Sequence, residues 1–125
     1  MDKVKYWLDL AKEDINVAKL LLGGGKYLYT GFICHLSTEK ALKAVISKTE
    51  TPEKIHDLVK LAKHRGIYAK MSDEQKDFLE VLLPLNIEGR YPSYKDNIAA
   101  SLNDKRCKEI LKETEALVSW IETQL

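Results

Sequence analysis

Glu39 is the residue whose position in this sequence most strongly suggests chemistry. A helix through this stretch would place its carboxyl group within an apolar stripe, in which four large side chains and Glu39 follow one another at steps of three and four residues. These are Phe32, Leu36, Leu42 and Ile46. A carboxylate in such a stripe needs a partner, and His35 and Lys43 lie one turn before and one turn after it. Two interpretations remain open. Glu39 is either satisfied by this local polar chain, or faces a groove or subunit interface together with Lys40.

A second group of candidate residues surrounds Arg90. The segment 88–94 contains a glycine and a proline that interrupt helical structure, and it places Arg90 beside Tyr91 and Tyr94. Guanidinium groups bind phosphates and aromatic rings stack on nucleobases, so this segment suits nucleotide or RNA binding. The alternative is that Arg90 is a cation at a helix C-terminus, where it interacts with the helix dipole.

Lysines on the same predicted helix as Glu39 are further candidates. Lys40 and Lys43 could line a phosphate-binding groove, although exposed helix lysines usually bind nothing. His35 and Glu39 have the spacing of a helical metal-binding pair, but one pair without further ligands makes a poor zinc or iron site. We therefore expect no metal and no cofactor.

Composition restricts the class of protein. With 125 residues the chain is expected to form one domain, residues 1–125. Twenty basic and nineteen acidic side chains leave a net charge of +1, so any nucleic-acid binding must come from a local patch. Cys34 and Cys107 lie among apolar neighbours and are predicted to be small buried hydrophobes in a reducing compartment. No signal peptide or membrane span is recognisable, which predicts a cytoplasmic protein without membrane association.

Hydrophobic periodicity predicts an all-α fold: an up-and-down bundle of four long helices with an additional short helix. The Arg90 segment is expected to be its only long irregular element. Helix one is predicted to begin at a cap at Asp2 and to stop at Gly23-Gly24-Gly25, and helix two to run from Lys26 or Tyr27 to Lys48. Helix three is predicted to have a cap at Thr51 and to end at Arg65-Gly66. Helix four is predicted to begin with a Ser72–Gln75 capping box and to carry apolar residues to Ile87, and the last helix to have a cap at Asn103 or Asp104.

Helix four carries more apolar residues than one buried face requires, and helix two also has surplus apolar positions. The excess predicts a second packing surface, which a homodimer would supply through Phe78, Leu82 or Leu85.

Four pieces of the sequence, in this order and spacing, resemble the HEPN domain family over nearly the whole chain. They are Tyr6-Trp7-Leu8-x-x-Ala11-x-x-Asp14, Glu39-Lys40-Ala41-Leu42-Lys43-Ala44, His56-Asp57-Leu58 and Asn86-x-x-x-Arg90-Tyr91-Pro92. The resemblance implies a small all-α domain, typically a homodimer, that binds nucleotide or RNA. It also implies a possible partner, a minimal nucleotidyltransferase, in a two-component toxin–antitoxin pair.

The resemblance also selects the site residues. His56 resembles the histidine of the family's third helix, with packing in the first helical turn as the alternative. The implied ligand groove contains Glu39, Lys40, Lys43, His56, Arg90 and Tyr91. Many HEPN proteins are metal-independent ribonucleases with an arginine followed, after four to six residues, by a histidine. Here those positions are Lys95, Asp96 and Asn97, so we expect a binding module with no assigned catalytic residue. The alternative is a ribonuclease toxin that uses Arg90 with a displaced base such as His56.

Overall fold

The computed structural model describes residues 2–125 and, over this range, contains seven α-helices, one 3₁₀ turn and no strand. In chain order the elements are α1 (Lys3–Gly23), α2 (Tyr27–Ile46), α3 (Leu58–His64), α4 (Ile67–Lys70), α5 (Asp73–Leu82), the 3₁₀ turn (Leu83–Leu85), α6 (Pro92–Ser101) and α7 (Asp104–Thr123). The predicted all-α fold class is confirmed.

Helices α1 and α2 form a hairpin, and α7 packs against both of them. Asp2 caps α1 by accepting a hydrogen bond from the backbone N–H of Lys5, as its sequence position predicts. The hairpin turn ends at Gly25, whose φ of +73° belongs to the left-handed region that favours glycine. Inside the hairpin, the buried hydroxyl of Ser37 donates to the carbonyl of Ala11 at 2.7 Å. This close contact fixes α2, and with it the Glu39 region, against α1.

Helix three begins later than expected. The structure starts α3 at Leu58, and its cap is Asp57, whose carboxylate accepts from two backbone N–H groups. The predicted cap at Thr51 is therefore wrong, although the predicted end at Arg65-Gly66 is confirmed. Tertiary contacts explain the difference, because Ile55 packs on the core and His56 hydrogen-bonds Glu39 from the non-helical segment. Residues 51–57 therefore stay non-helical, because these contacts outweigh their local helical propensity.

The predicted helix four corresponds to α5, and its apolar residues are buried in the protomer's own core. Phe78, Leu82 and Leu85 are only 5%, 0% and 5% exposed, so the expectation that they form a surplus surface for a partner is wrong. The helix also ends early, at Leu82, and continues as the 3₁₀ turn that contains Pro84. The predicted Ser72–Gln75 capping box is present.

Sequence periodicity did not reveal α6, which follows the Arg90 segment. Pro92 occupies its first turn, a position that favours proline, but none of its residues is fully buried. An apolar stripe is therefore weak there, and the sequence pattern predicted an irregular segment. α6 leads into α7, which is capped by Asn103, one of the two caps predicted.

Gly31 allows the 3₁₀ turn and the end of α6 to approach α2 closely. A Cβ atom at this position would lie 3.3 Å from side-chain carbons of both Leu85 and Leu102.

Both cysteines, Cys34 and Cys107, are buried and free, as predicted for small core residues. Across residues 2–125, no helix combines the length and hydrophobicity that a bilayer crossing requires.

Candidate functional site

A buried carboxylate on α2 forms the centre of the candidate site. Glu39 is 5% exposed, and each of its two oxygens has a partner. Oε2 accepts from the Lys43 ammonium at 3.1 Å, and Oε1 contacts Nδ1 of His56 at 3.0 Å. The sequence-based prediction of a buried, paired Glu39 is confirmed. The partner from beyond α2 comes from the segment that precedes α3.

The geometry assigns a tautomer to His56. An ionised carboxylate can only accept hydrogen bonds, so Nδ1 of His56 must carry the proton that it shares with Glu39. The His56 side chain is 51% exposed, and its Nε2 has no hydrogen-bond partner within residues 2–125. His56 therefore presents a free ring nitrogen on the surface while its other nitrogen is held by a buried group. This arrangement can orient a general base or a hydrogen-bonding group.

Lys43 supports this carboxylate and is not free to reach a ligand. Its side chain is only 8% exposed, and its ammonium lies 5.6 Å from the centre of the Trp7 ring. Trp7 thus links α1 to the pair on α2. Lys40 is likewise occupied: its ammonium is 2.7 Å from the carboxylate of Asp14 on α1. Trp7 and Asp14, from the first HEPN-like piece of the sequence, therefore contact Lys43 and Lys40 of the second piece.

His35 lies beneath Glu39 and is almost completely inaccessible, with 1% exposure. Its Nδ1 is 3.9 Å from Glu39 Oε1, too long for a hydrogen bond, and is the only buried side-chain nitrogen or oxygen without a partner in residues 2–125. Burial lowers the pKa of His35 from 6.5 to about 4, although the nearby Glu39 carboxylate acts in the opposite direction. His35 is therefore neutral at physiological pH.

Arg90 and Tyr91 lie outside this cluster. The Arg90 guanidinium stacks on the Tyr94 ring at 4.7 Å, and the Tyr94 hydroxyl donates to the carbonyl of Pro84 at 2.7 Å. Tyr91 is 83% exposed and precedes α6. No hydrogen bond, ion pair or cation–π contact joins Arg90 or Tyr91 to Glu39 anywhere in residues 2–125.

Of the six predicted site residues, the structure thus brings Glu39, Lys43 and His56 into direct contact. Lys40 follows Glu39 on α2, and Arg90 and Tyr91 form a separate exposed patch with Tyr94. Sequence reasoning missed the roles of Trp7 and Asp14 as partners of the two lysines. Contacts between helices have no signal in a single sequence, although both residues belong to the first HEPN-like piece.

A cavity of considerable size lies away from this site. It has a volume of about 610 Å³ between α5 and α7, and it contains none of the predicted site residues. Carboxylates and one arginine surround a small apolar floor of Phe78, Val81 and Leu117. The candidate site is instead an open surface around the half-exposed His56.

Comparisons with known proteins agree with an all-α domain of this kind. The HEPN domain model matches residues 4–124, and the chain belongs to the HEPN domain family. No match is found among curated proteins. Two solved structures are similar in fold. TT1696 from Thermus thermophilus has 21% identity and a TM-score of 0.85, with 100% of both chains covered. ST0689, described as an archaeal HEPN homologue, has 17% identity and a TM-score of 0.68, with 99% of this chain and 98% of that chain covered.

The buried His35 predicts a specific pH dependence of stability. Because its pKa is lowered in the folded state, the unfolded chain takes up a proton first as the pH falls. Stability is therefore full above pH 6.5 and is lost between about pH 6.5 and 4. The loss amounts to about 3 kcal/mol in the free energy of unfolding. Urea unfolding at several pH values should show this loss in the wild type and a smaller one in His35→Gln.

His64 provides the matched control for this experiment. It is an exposed histidine paired with Glu50 at 2.7 Å, so His64→Gln should keep the acid-dependent loss of the wild type. An unchanged pH dependence in His35→Gln would show that His35 does not carry the effect.

Proposed function

We propose that this protein binds a nucleotide or RNA through two exposed patches, one around His56 and the other formed by Arg90 and Tyr91. The observation that carries the proposal is the buried Glu39 carboxylate, which holds the half-exposed His56 by Nδ1 and leaves its Nε2 free. Burying an ionisable group is costly unless it is paired. An arrangement that positions one surface histidine in this way is typical of a functional site.

The exposed patch around Arg90 supplies complementary chemistry for the same ligand. Its guanidinium can bind phosphate oxygens in a bidentate manner, and Tyr91 exposes most of its ring for stacking on a base. In this proposal the two lysines have different tasks. Lys43 keeps Glu39 in place, and Lys40 is paired with Asp14, which fixes α2 against α1 beside the site.

We also propose a homodimer, with its interface on the α1–α2 hairpin and not on α5. Half-buried apolar residues that are not packed against the core continue along one face of the hairpin. They are Leu10, Val17 and Leu21 on α1, and Leu28, Phe32 and Leu36 on α2. The Lys40–Asp14 pair adds no net charge to this face, so two copies could meet there around a two-fold axis. Such an interface would adjoin the Glu39 cluster, because Phe32 and Leu36 precede Glu39 on α2.

The HEPN family also suggests a protein partner. We propose that a minimal nucleotidyltransferase, if encoded beside this gene, pairs with this protein in a toxin–antitoxin system. The family membership alone supports this part of the proposal.

One observation favours the second candidate function, a metal-independent ribonuclease. RNA cleavage requires a base to take the proton of the 2′-hydroxyl and a positive charge to stabilise the phosphorane-like transition state. His56 with a free Nε2 has the geometry of such a base, and Arg90 could supply the charge. The family's usual histidine position is still unfilled, since Lys95, Asp96 and Asn97 stand there on α6. We therefore place binding before cleavage.

The dimer proposal predicts that Phe32→Asp converts the protein from dimer to monomer. A buried charge at the interface should cost about 3 kcal/mol or more of dimer stability. Sedimentation velocity at micromolar concentration measures the change. Leu20→Asp is the matched control, because Leu20 is 78% exposed in α1 and lies outside the proposed face. A monomeric wild type at this concentration would contradict the proposal.

The binding proposal predicts that Arg90→Ala weakens binding of a labelled RNA about tenfold and makes its salt dependence shallower. His56→Ala should also weaken binding. Fluorescence anisotropy over a salt series gives both quantities, and Arg106→Ala and His64→Ala are controls of matching type outside the site. The same samples, incubated with EDTA, should show no more than trace cleavage.

Two results would change this assignment. Equal RNA affinity for wild type and Arg90→Ala would leave Arg90 as a structural residue stacked on Tyr94. Robust cleavage in EDTA that disappears in His56→Ala but persists in His64→Ala would establish the ribonuclease function instead.

A further inference from the structure

A second concentration of positive charge lines a small cavity away from the Glu39 cluster. The cavity has a volume of about 190 Å³ and lies where α2, α3, α4 and α7 end. Its lining residues are Val45, Lys48, Arg65, Ile67, Lys70 and Gln124. Three of these six side chains are cationic, one is an amide and none is a carboxylate. The cavity shares no residue with the candidate site around His56.

The ordinary explanation for cations at this place is the helix dipole. Lys48 follows the C-cap of α2, Arg65 is the C-cap of α3 and Lys70 ends α4, so each lies near the negative end of a helix. Lys48 donates from its ammonium to the backbone oxygen of Leu125, the residue after the C-cap of α7, at 3.2 Å. Within residues 2–125, the side chains of Arg65 and Lys70 make no hydrogen bond or ion pair. Capping alone therefore leaves most of the donors in this cavity unused.

No acidic side chain of residues 2–125 lines the cavity. Glu50, two residues after Lys48, is directed to His64, with 2.7 Å between its oxygen and the ring nitrogen. Three exposed cations around one cavity, with no carboxylate in its lining, give a positive local potential that favours an anion. The guanidinium of Arg65 can hold two oxygens of one phosphate, while the lysines act as point charges. The Gln124 amide can donate a further hydrogen bond.

We propose that the Lys48–Arg65–Lys70 pocket is a phosphate-binding site, separate from the surface around His56. Its ligand is a phosphate group, which inorganic phosphate, a nucleotide or the backbone of an RNA could supply. The site is independent of the proposed function, because its residues and its charges are distinct from those of the Glu39 cluster.

The test is a titration of the protein with inorganic phosphate, followed by NMR at constant ionic strength with chloride as the reference ion. We expect saturable shifts of the backbone amides of Arg65, Lys70 and their neighbours. The variant Arg65→Gln/Lys70→Gln should bind at least about tenfold more weakly, since a charge-assisted contact is typically worth about a factor of ten. Lys48 is left unchanged because its bond to Leu125 has a structural role.

The control variant is Lys105→Gln/Lys112→Gln, which removes the same charge from exposed positions of α7 outside the cavity. It should keep the phosphate affinity of the wild type. Equal losses in both double variants, or no saturable binding by the wild type, would overturn the proposal. Should the double variant unfold, Lys70→Gln alone provides the same comparison with Lys105→Gln, and an affinity equal to that control would also overturn it.

Two further titrations distinguish the source of the phosphate. A nucleoside 5′-monophosphate presents a free phosphomonoester, and a short RNA presents phosphodiesters. If Arg65→Gln/Lys70→Gln weakens binding of phosphate and monophosphate only, the pocket takes a small ligand. If RNA binding is weakened as well, the pocket contacts a polynucleotide backbone.

Discussion

The ion pair and hydrogen bond of Glu39 determine how the neighbouring elements are arranged. A carboxylate with 5% exposure in the middle of α2 has to be satisfied on both oxygens, and the chain does so with Lys43 and Nδ1 of His56. The first partner comes from the same helix and is covered by Trp7 of α1. The second comes from a segment that stays non-helical in order to reach it. The position of the hairpin and the late start of α3 are therefore linked to one buried group.

Features that depend on local chemistry could be predicted from the sequence. Asp2, Ser72 and Asn103 cap helices as their types and spacings suggest, and Lys43 reaches Glu39 because the two residues are one turn apart. Features that depend on distant contacts could not. Asp57 caps α3 in place of the expected Thr51, because Ile55 and His56 have partners elsewhere in the fold. Single-sequence periodicity contains no information about such partners.

The fold brings some of the predicted site residues into contact and keeps others apart. Glu39, Lys43 and His56 meet, whereas Arg90 remains with Tyr94 on a separate exposed patch. Helix four was expected to offer a surface for a partner because its apolar residues were counted without knowing how much core they fill. Phe78, Leu82 and Leu85 fill that core, whereas half-buried apolar residues beside Glu39 on the hairpin lie outside it. The number of apolar residues in the sequence thus indicated the size of the core but did not locate an interface.

The tautomer of His56 is the most direct test of this account, and long-range ¹H–¹⁵N NMR spectra of the histidine rings measure it. The structure predicts that neutral His56 carries its proton on Nδ1, because that nitrogen contacts Glu39 Oε1 at 3.0 Å. His64 is an internal reference with the opposite arrangement, since its Nε2 contacts Glu50 Oε1 at 2.7 Å. A His56 ring protonated on Nδ1 in the wild type, and no longer confined to this tautomer in Glu39→Gln, would support the account. A His56 ring protonated on Nε2 in the wild type would contradict it, because Glu39 would then not hold this histidine.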